Sequence, residues 1–326
     1  MTSTTPNPRT LPAILGIGVL ILVLVALFLL WPRDNGGPTG QSSASPSMAA
    51  SETAMASPSM ASCATESLQT KESGVFTVGT DNPAFPPYFD PPAEGEEATD
   101  PWELGDPTNG RGFESAMAYA LAEQLGFSEE QVTWIPVTFN NAIAPGPKDF
   151  DVYLAQVSFT EERTQAVDLS EGYFFSNQAL VTTADSPLAD ATSISEVAGY
   201  RLGAQGNTTS LNYILERIQP TQEPRIYEDN TGVKLALEAG DVIDGAVFDL
   251  ATAFYIVNVE MDDGVVVGQF PSDPEDKEHF SFVLDLDSPL TECVNQAILT
   301  MGENGQLDMI AAEWLADYVE APFISE

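Results

Sequence analysis

The chain has 326 residues, 43% of them hydrophobic and 18% charged, enough apolar material for a tether plus one or two ordinary α/β domains. Eleven Lys and Arg against 49 Asp and Glu give a formal charge of −38, so nearly every face repels a phosphate backbone and nucleic acid is excluded as a partner. The same acidity could keep a surface protein soluble in salt or merely reflect the composition habits of its host, and it does not identify a ligand.

Residues 1–12 read as a short cytoplasmic start, followed from Ala13 to Leu30 by AILGIGVLILVLVALFLL. This run is close to the ~20 apolar residues that cross a bilayer, so 13–31 is expected to be a membrane span. Arg9 before it and Arg33 after it orient it only weakly. Trp31-Pro32-Arg33 in place of a small-residue cleavage site favours an uncleaved anchor over a signal peptide. Residues 32–62, with the repeated fragments SPSMAAS and ASPSMAS, are too poor in large apolar groups to order and are expected to form a stalk.

The cysteines are Cys63, where the stalk ends, and Cys293 near the carboxyl end. Outside the cytoplasm a bridge between them would staple the start of the folded part to its last helices. The alternative is lipidation of Cys63, which follows Met60-Ala61-Ser62.

Beyond Ser73, β-rich runs alternate with helical patterns. Strands are expected at 75–79, 132–137 and 151–155 with a helix at 113–126, then a strand at 201–205 and a helix at 209–218. RIYED, GVKLALEAG, GAVFD and LATAFYIVNV continue the alternation to residue 259. The pattern predicts open, largely parallel sheets with helices on both faces. Two apolar segments, GYFFSNQALVTT (172–183) and HFSFVLDL (279–286), separate the series and read as paired hinge crossovers. The domain reading is therefore a first lobe begun by 63–178, a second lobe at 179–282 with the hinges, and a return to the first lobe at 283–326. The acidic, Pro-rich stretch from Asp90 to Asn109, with Trp102, is expected to be a surface insertion.

A free amino acid needs a buried cation, a buried anion and a shaped wall, and the strand ends supply candidates for each. Arg163 in SFTEERTQAVDLS, with Ser158, follows the strand at 151–155, where a guanidinium can clamp a carboxylate bidentately. The competing reading pairs Arg163 with Glu161 or Glu162 on an exposed turn. Thr208 and Thr209 lie at a strand-to-helix turn whose free N–H groups could complete an anion cradle, although either could simply cap the helix. Asp249 ends GAVFD immediately before a helix, where it could pair with an ammonium or act as a cap. The proline-set loop Thr80 to Tyr88 carries Asp81 and two aromatics, of which Phe85 or Tyr88 could line a side-chain pocket, with core packing the competing reading for either.

With these residues the chain resembles the bacterial extracellular solute-binding proteins of family 3, the polar amino acid binders of ABC importers. The resemblance runs from Cys63 to Tyr318. It is carried by Ser158-x-Thr160-x-x-Arg163-x-x-x-Val167-Asp168-x-Ser170-x-x-Tyr173, by Gly203-Ala204-Gln205-x-x-Thr208-Thr209-Ser210 and by Asp244-x-x-x-x-Asp249. It implies a two-lobed, periplasmic-binding-protein-like (type II) α/β fold that closes on its ligand. It further implies that Ser158, Arg163, Thr208 and Thr209 bind the α-carboxylate, that Asp249 binds the α-ammonium, that Phe85 and Asp81 border the side chain, and that Cys63 pairs with Cys293. Gly112-Phe113-Glu114 keeps the family's helix start, but Ser115-Ala116 stands where an apolar-acidic pair is expected, and Asn207 where glycine is usual. Gln156 and Ala155 occupy positions of small hydroxyl residues, which places Gln156 in the ligand-binding set and shifts side-chain or ammonium recognition.

The expected protein is the substrate-binding component of an ABC importer on the extracytoplasmic face of the membrane, with permease subunits as partners and neither cofactor nor metal. A dehydratase-like enzyme on the same scaffold is the first rival. The sole histidine, His279, falls in a hinge strand, where a structural role is expected, and no nucleophile or metal constellation accompanies it. The second rival is a sensing domain read by a partner receptor.

Overall fold

The computed structural model describes residues 63–326 apart from Glu94, 273–276 and Val319. The expected membrane span and stalk lie outside the described residues, among which no helix is long and apolar enough to cross a membrane.

In chain order the first lobe contains β1 (Phe76–Thr80), α1 (Phe113–Gln124), β2 (Val132–Pro136), α2 (Phe139–Ile143), β3 (Val152–Tyr153) and β4 (Asp168–Leu169). A short strand, β5 (Phe174–Phe175), leads out of it. The second lobe contains β6 (Gln178–Thr183), α3 (Ile194–Val197), β7 (Leu202–Gln205), α4 (Thr209–Tyr213), β8 (Arg225–Tyr227), α5 (Asn230–Ala239), β9 (Gly245–Asp249), α6 (Leu250–Tyr255) and β10 (Gly264–Gln269). Then come β11 (His279–Phe280), β12 (Val283–Leu284), α7 (Thr291–Glu303) and α8 (Gln306–Trp314).

One sheet runs β2-β1-β3-β12-β4 and the other β10-β6-β9-β7-β8. Both are mixed, which corrects the expectation of largely parallel sheets. In the first, β1 lies parallel to β2 and β3, but β12 arrives on the return passage and pairs antiparallel with β3 and β4. In the second, β7 is parallel to β8 and β9, while β6 and β10 form an antiparallel edge. β5 and β11 pair antiparallel where the chain passes between lobes, with His279 opposite Phe175 and Phe280 opposite Phe174.

β1 is buried along its whole length, as expected of a central strand covered on both faces. α1 is seated by Gly112, whose φ of 93° and clearance decide the residue: a Cβ there would lie 2.6 Å from Tyr88 O and 2.7 Å from Asp90 N. That close approach lets the first-turn N–H groups of Phe113 and Glu114 donate to Pro87 O and Tyr88 O. Ser115, in place of an apolar residue, is buried, and its hydroxyl donates to Pro107 O at 2.8 Å. The stretch from Asp90 to Asn109 departs from a bare surface insertion: Trp102 packs into the first core, and Asp106 accepts from the backbone N–H groups of Thr99 and Thr108.

Cys63 and Cys293 form a disulfide that fastens the start of the described chain to α7, so the Cys63 sulfur carries that bond rather than a lipid. Residues 322–325 depart from the expected return of 283–326 to the first lobe. Phe323 bridges Gln269, Ser325 bridges Ser193, and Ile324 is buried in the second lobe's core with Leu180, Leu188 and Phe270. The free edge of β10 takes up this segment, with Gln269 N–H donating to Pro322 O and Ile324 N–H to Gln269 O.

Candidate functional site

The carboxyl ends of β1, β3, β7, β8 and β9 and the loops that follow them border one cleft of about 200 Å³. Its lining includes all eight residues singled out from the sequence: Asp81, Phe85, Gln156, Ser158, Arg163, Thr208, Thr209 and Asp249.

Arg163 sits on a single helical turn (Arg163–Gln165) after β3 and is buried, which disposes of the exposed pairing with Glu161 or Glu162. No carboxylate among the described residues forms an ion pair with it. Its guanidinium donates to Ser158 O and, at 2.8 Å, to Asn207 O, and it stands 5.4 Å over the Phe139 ring. Burial pulls its pKa down to about 10, opposed by the charge of Glu278, so it stays a cation at neutral pH. Asn207 belongs to the other lobe and holds a φ of 61°, a left-handed conformation that asparagine tolerates in place of glycine.

Thr208 is the cap of α4: its Oγ1 accepts from Leu211 N–H at 3.2 Å and donates to Gln205 O at 2.7 Å. Thr209 faces the first lobe, with Oγ1 3.3 Å from Ser158 Oγ. Ser158 itself is buried and bridged to Phe280.

Asp249 ends β9 and combines two roles the sequence offered as alternatives. It caps α6, accepting from Thr252 N–H at 3.0 Å, and it borders the cleft. The hydroxyl of buried Tyr88 donates to the same oxygen, Oδ1, so Tyr88 supports the acid from the core rather than lining the wall. Burial raises the Asp249 pKa, and the hydrogen bonds from Thr252 and Tyr88 oppose that rise.

Gln156, at a φ of 51°, turns its side chain back into the protein. Its backbone N–H and its Nε2 donate to Glu114 at 2.7 and 2.5 Å, and the Tyr173 hydroxyl donates to the same carboxylate at 2.5 Å. Glu114 is fully buried, and desolvation outweighs these donors to lift its pKa to about 7. Its place at the first turn of α1 marked a helix start and gave no sign of this second role.

Asp81 accepts from Asn82 N–H at 2.9 Å and Phe139 N–H at 3.2 Å; burial raises its pKa, and the negative charge of Asp229 adds to the rise. Asp229 comes from the second lobe, where it caps α5. Phe85 reaches across to Tyr255, ring centroids 6.4 Å apart at 62°. Sequence reasoning missed Phe139, Gln178, Glu228 and Asp229 in the lining. The last two follow β8, RIYED, and the rule that ligands gather at strand carboxyl ends would have found them. His279 stacks on Phe159 at 5.4 Å and 17°, in keeping with a structural role.

Residues 95–317 match the family described as bacterial extracellular solute-binding proteins, family 3. The arginine-binding extracellular protein ArtP of Bacillus subtilis (strain 168) is 26% identical over 218 residues, which cover 66% of this chain and 81% of ArtP. The ABC transporter glutamine-binding protein GlnH of the same organism is 23% identical over 217 residues, 66% of this chain and 77% of GlnH. Among solved structures, an ancestral arginine-binding protein bound to arginine superposes with a TM-score of 0.57 at 26% identity, covering 74% of this chain and 98% of that one.

Proposed function

Because the chain belongs to the bacterial extracellular solute-binding proteins of family 3, we propose that it captures a free amino acid in the cleft and delivers it to the permease subunits of an ABC importer. The observation that carries this reading is the placement of Arg163 and Asp249, a cation and an anion from opposite lobes, in the lining of one cleft. In the proposed complex Arg163 holds the α-carboxylate with help from Ser158, Thr208 and Thr209. Asp249 holds the α-ammonium, already oriented by Tyr88 and the α6 cap. Phe85, Phe139 and Asp81 border the side chain, and Gln156, its amide nitrogen committed to Glu114, contributes backbone and carbonyl groups.

The side chain is proposed to be cationic. Asp81, Glu228, Asp229 and Asp249 line the cleft against Arg163, the only cation among the described lining residues. A zwitterion is satisfied by Arg163 and Asp249, which leaves Asp81, Glu228 and Asp229 without a counter-charge. Asp81 and Asp229 line the cleft from different lobes, and the charge of Asp229 adds to the rise in the Asp81 pKa, so a cationic group beside them would offset that effect. The arginine-binding relatives point the same way.

The protein is read as a binder rather than an enzyme from its family. It is placed on the extracytoplasmic face of the membrane, with residues 13–31 as anchor.

A thermal-shift screen against the twenty amino acids tests the reading, since a ligand that binds only the folded state raises Tm. Arginine and lysine are expected to give the largest shifts. No shift with any amino acid would refute amino acid capture, and a larger shift with glutamine or glutamate would refute the cationic preference.

A further inference from the structure

Ser158 and Thr209 carry a partner that the ligand-binding reading does not use. Glu278, beside β11 on the return passage between lobes, accepts from Ser158 Oγ at 2.5 Å and from Thr209 Oγ1 at 2.6 Å, both on the same oxygen, Oε1. Gln178 Nε2, at the start of β6, donates to its two oxygens at 2.9 and 3.0 Å. The carboxylate, itself on the passage between the lobes, thus gathers donors from both the first lobe and the second. It approaches from the side of the passages, where it borders a separate groove with Phe175, Lys277 and Phe323.

A hydroxyl has one proton to donate. In this arrangement both protons go to Glu278, and Ser158 and Thr209 turn lone pairs toward the cleft, where a ligand carboxylate would meet acceptors. The attraction of Glu278's charge for Arg163 acts in the same sense. Arg163 is left to hold the ligand carboxylate until the hydroxyls turn away from Glu278, and each turn gives up a charge-assisted hydrogen bond.

We propose that Glu278 is an affinity-setting residue, an internal carboxylate that competes with the ligand's carboxylate for the hydroxyl protons of Ser158 and Thr209. The proposal rests on the reading of the cleft as an amino acid site and specifies how tightly that site holds its cargo. Its consequence is a lowered affinity, which eases release to a membrane partner.

Titration calorimetry with L-arginine and L-argininamide, whose carboxylate is replaced by an amide, tests this on wild type, Glu278→Ala and Glu278→Gln. The expected result is that Glu278→Ala binds L-arginine at least tenfold more tightly than wild type, about 1.4 kcal/mol, with little change for L-argininamide. Glu278→Gln, which keeps an oxygen acceptor but loses the charge, should lie between them and stands in if the alanine variant does not fold. If wild type binds L-arginine and both variants bind it equally or more weakly, Glu278 positions the hydroxyls instead and the proposal is overturned, while amino acid capture stands. An equal gain for the amide also overturns it, because the competition would not concern the carboxylate. If wild type binds neither L-arginine nor any other amino acid, the functional reading fails and the proposal fails with it.

Discussion

Around Arg163 the polar groups already have partners within the chain: the guanidinium donates to Ser158 O and Asn207 O, and Ser158 and Thr209 donate to Glu278. On the Asp81 side, Asp81 and Asp229 line the cleft from different lobes, and no cation other than Arg163 stands among the described lining residues. One region is organised and must exchange existing hydrogen bonds for a ligand's; the other carries an electrostatic deficit that a ligand fills. The contrast suggests that the first region recognises what all amino acids share and the second selects among them.

Arg163→Ala is the severest challenge to that division. Without the guanidinium a ligand carboxylate enters a dry cleft unpaired, and the loss of about 3–5 kcal/mol should abolish calorimetric binding of every amino acid alike. Retained binding of any of them would remove Arg163 from the shared region.

The next effect concerns the support behind that region. Glu114 has a folded pKa of about 7 against an ordinary value of 4.5, so its contribution to stability is greatest below pH 4.5 and is lost as pH rises through 7. The loss amounts to at most about 3 kcal/mol from the pKa difference. Tm measured from pH 5 to pH 8 should fall along this window, and Glu114→Gln should flatten the fall; an unchanged slope in the variant would show that other carboxylates carry it.

Asp249→Asn should weaken all amino acids by roughly 2 kcal/mol, the size of a charge-assisted hydrogen bond, with the fold kept because asparagine also caps helices. The smallest effect is the most selective. Asp229→Asn should weaken arginine by about 1 kcal/mol, near the value of a partly exposed charge pair, and leave glutamine unchanged. Equal losses for arginine and glutamine would erase the distinction between the two regions.

Much of this arrangement was readable before any coordinates. The alternation of β and α patterns put Arg163, Thr208 and Asp249 at strand ends, and strand ends are where open α/β sheets gather ligands. Local chemistry also offered the caps: Thr208 or Thr209 for α4, where Thr208 caps, and Asp249 for α6. What stayed hidden depends on contacts between distant segments. Glu278 meets Ser158 and Thr209 across 120 and 69 residues, and nothing in the run around His279 marks it. Glu114 reads locally as a first-turn acid, and only burial beside Gln156 and Tyr173 changes its chemistry. The strand expected at 151–155 shrank to Val152–Tyr153 because Gln156 turns to a positive φ and β12 is itself only two residues long.

The segment that returns to β10 restricts how far the molecule can gape. Tyr318 packs on the first core and Ala321 on the second, three residues further along. Three fully extended residues reach only roughly 11 Å, so at that end the jaws are on a short leash. Any wider yawn must first peel Ile324 out of its socket, which makes the amplitude of the mouth a matter of chain length as much as of pivot.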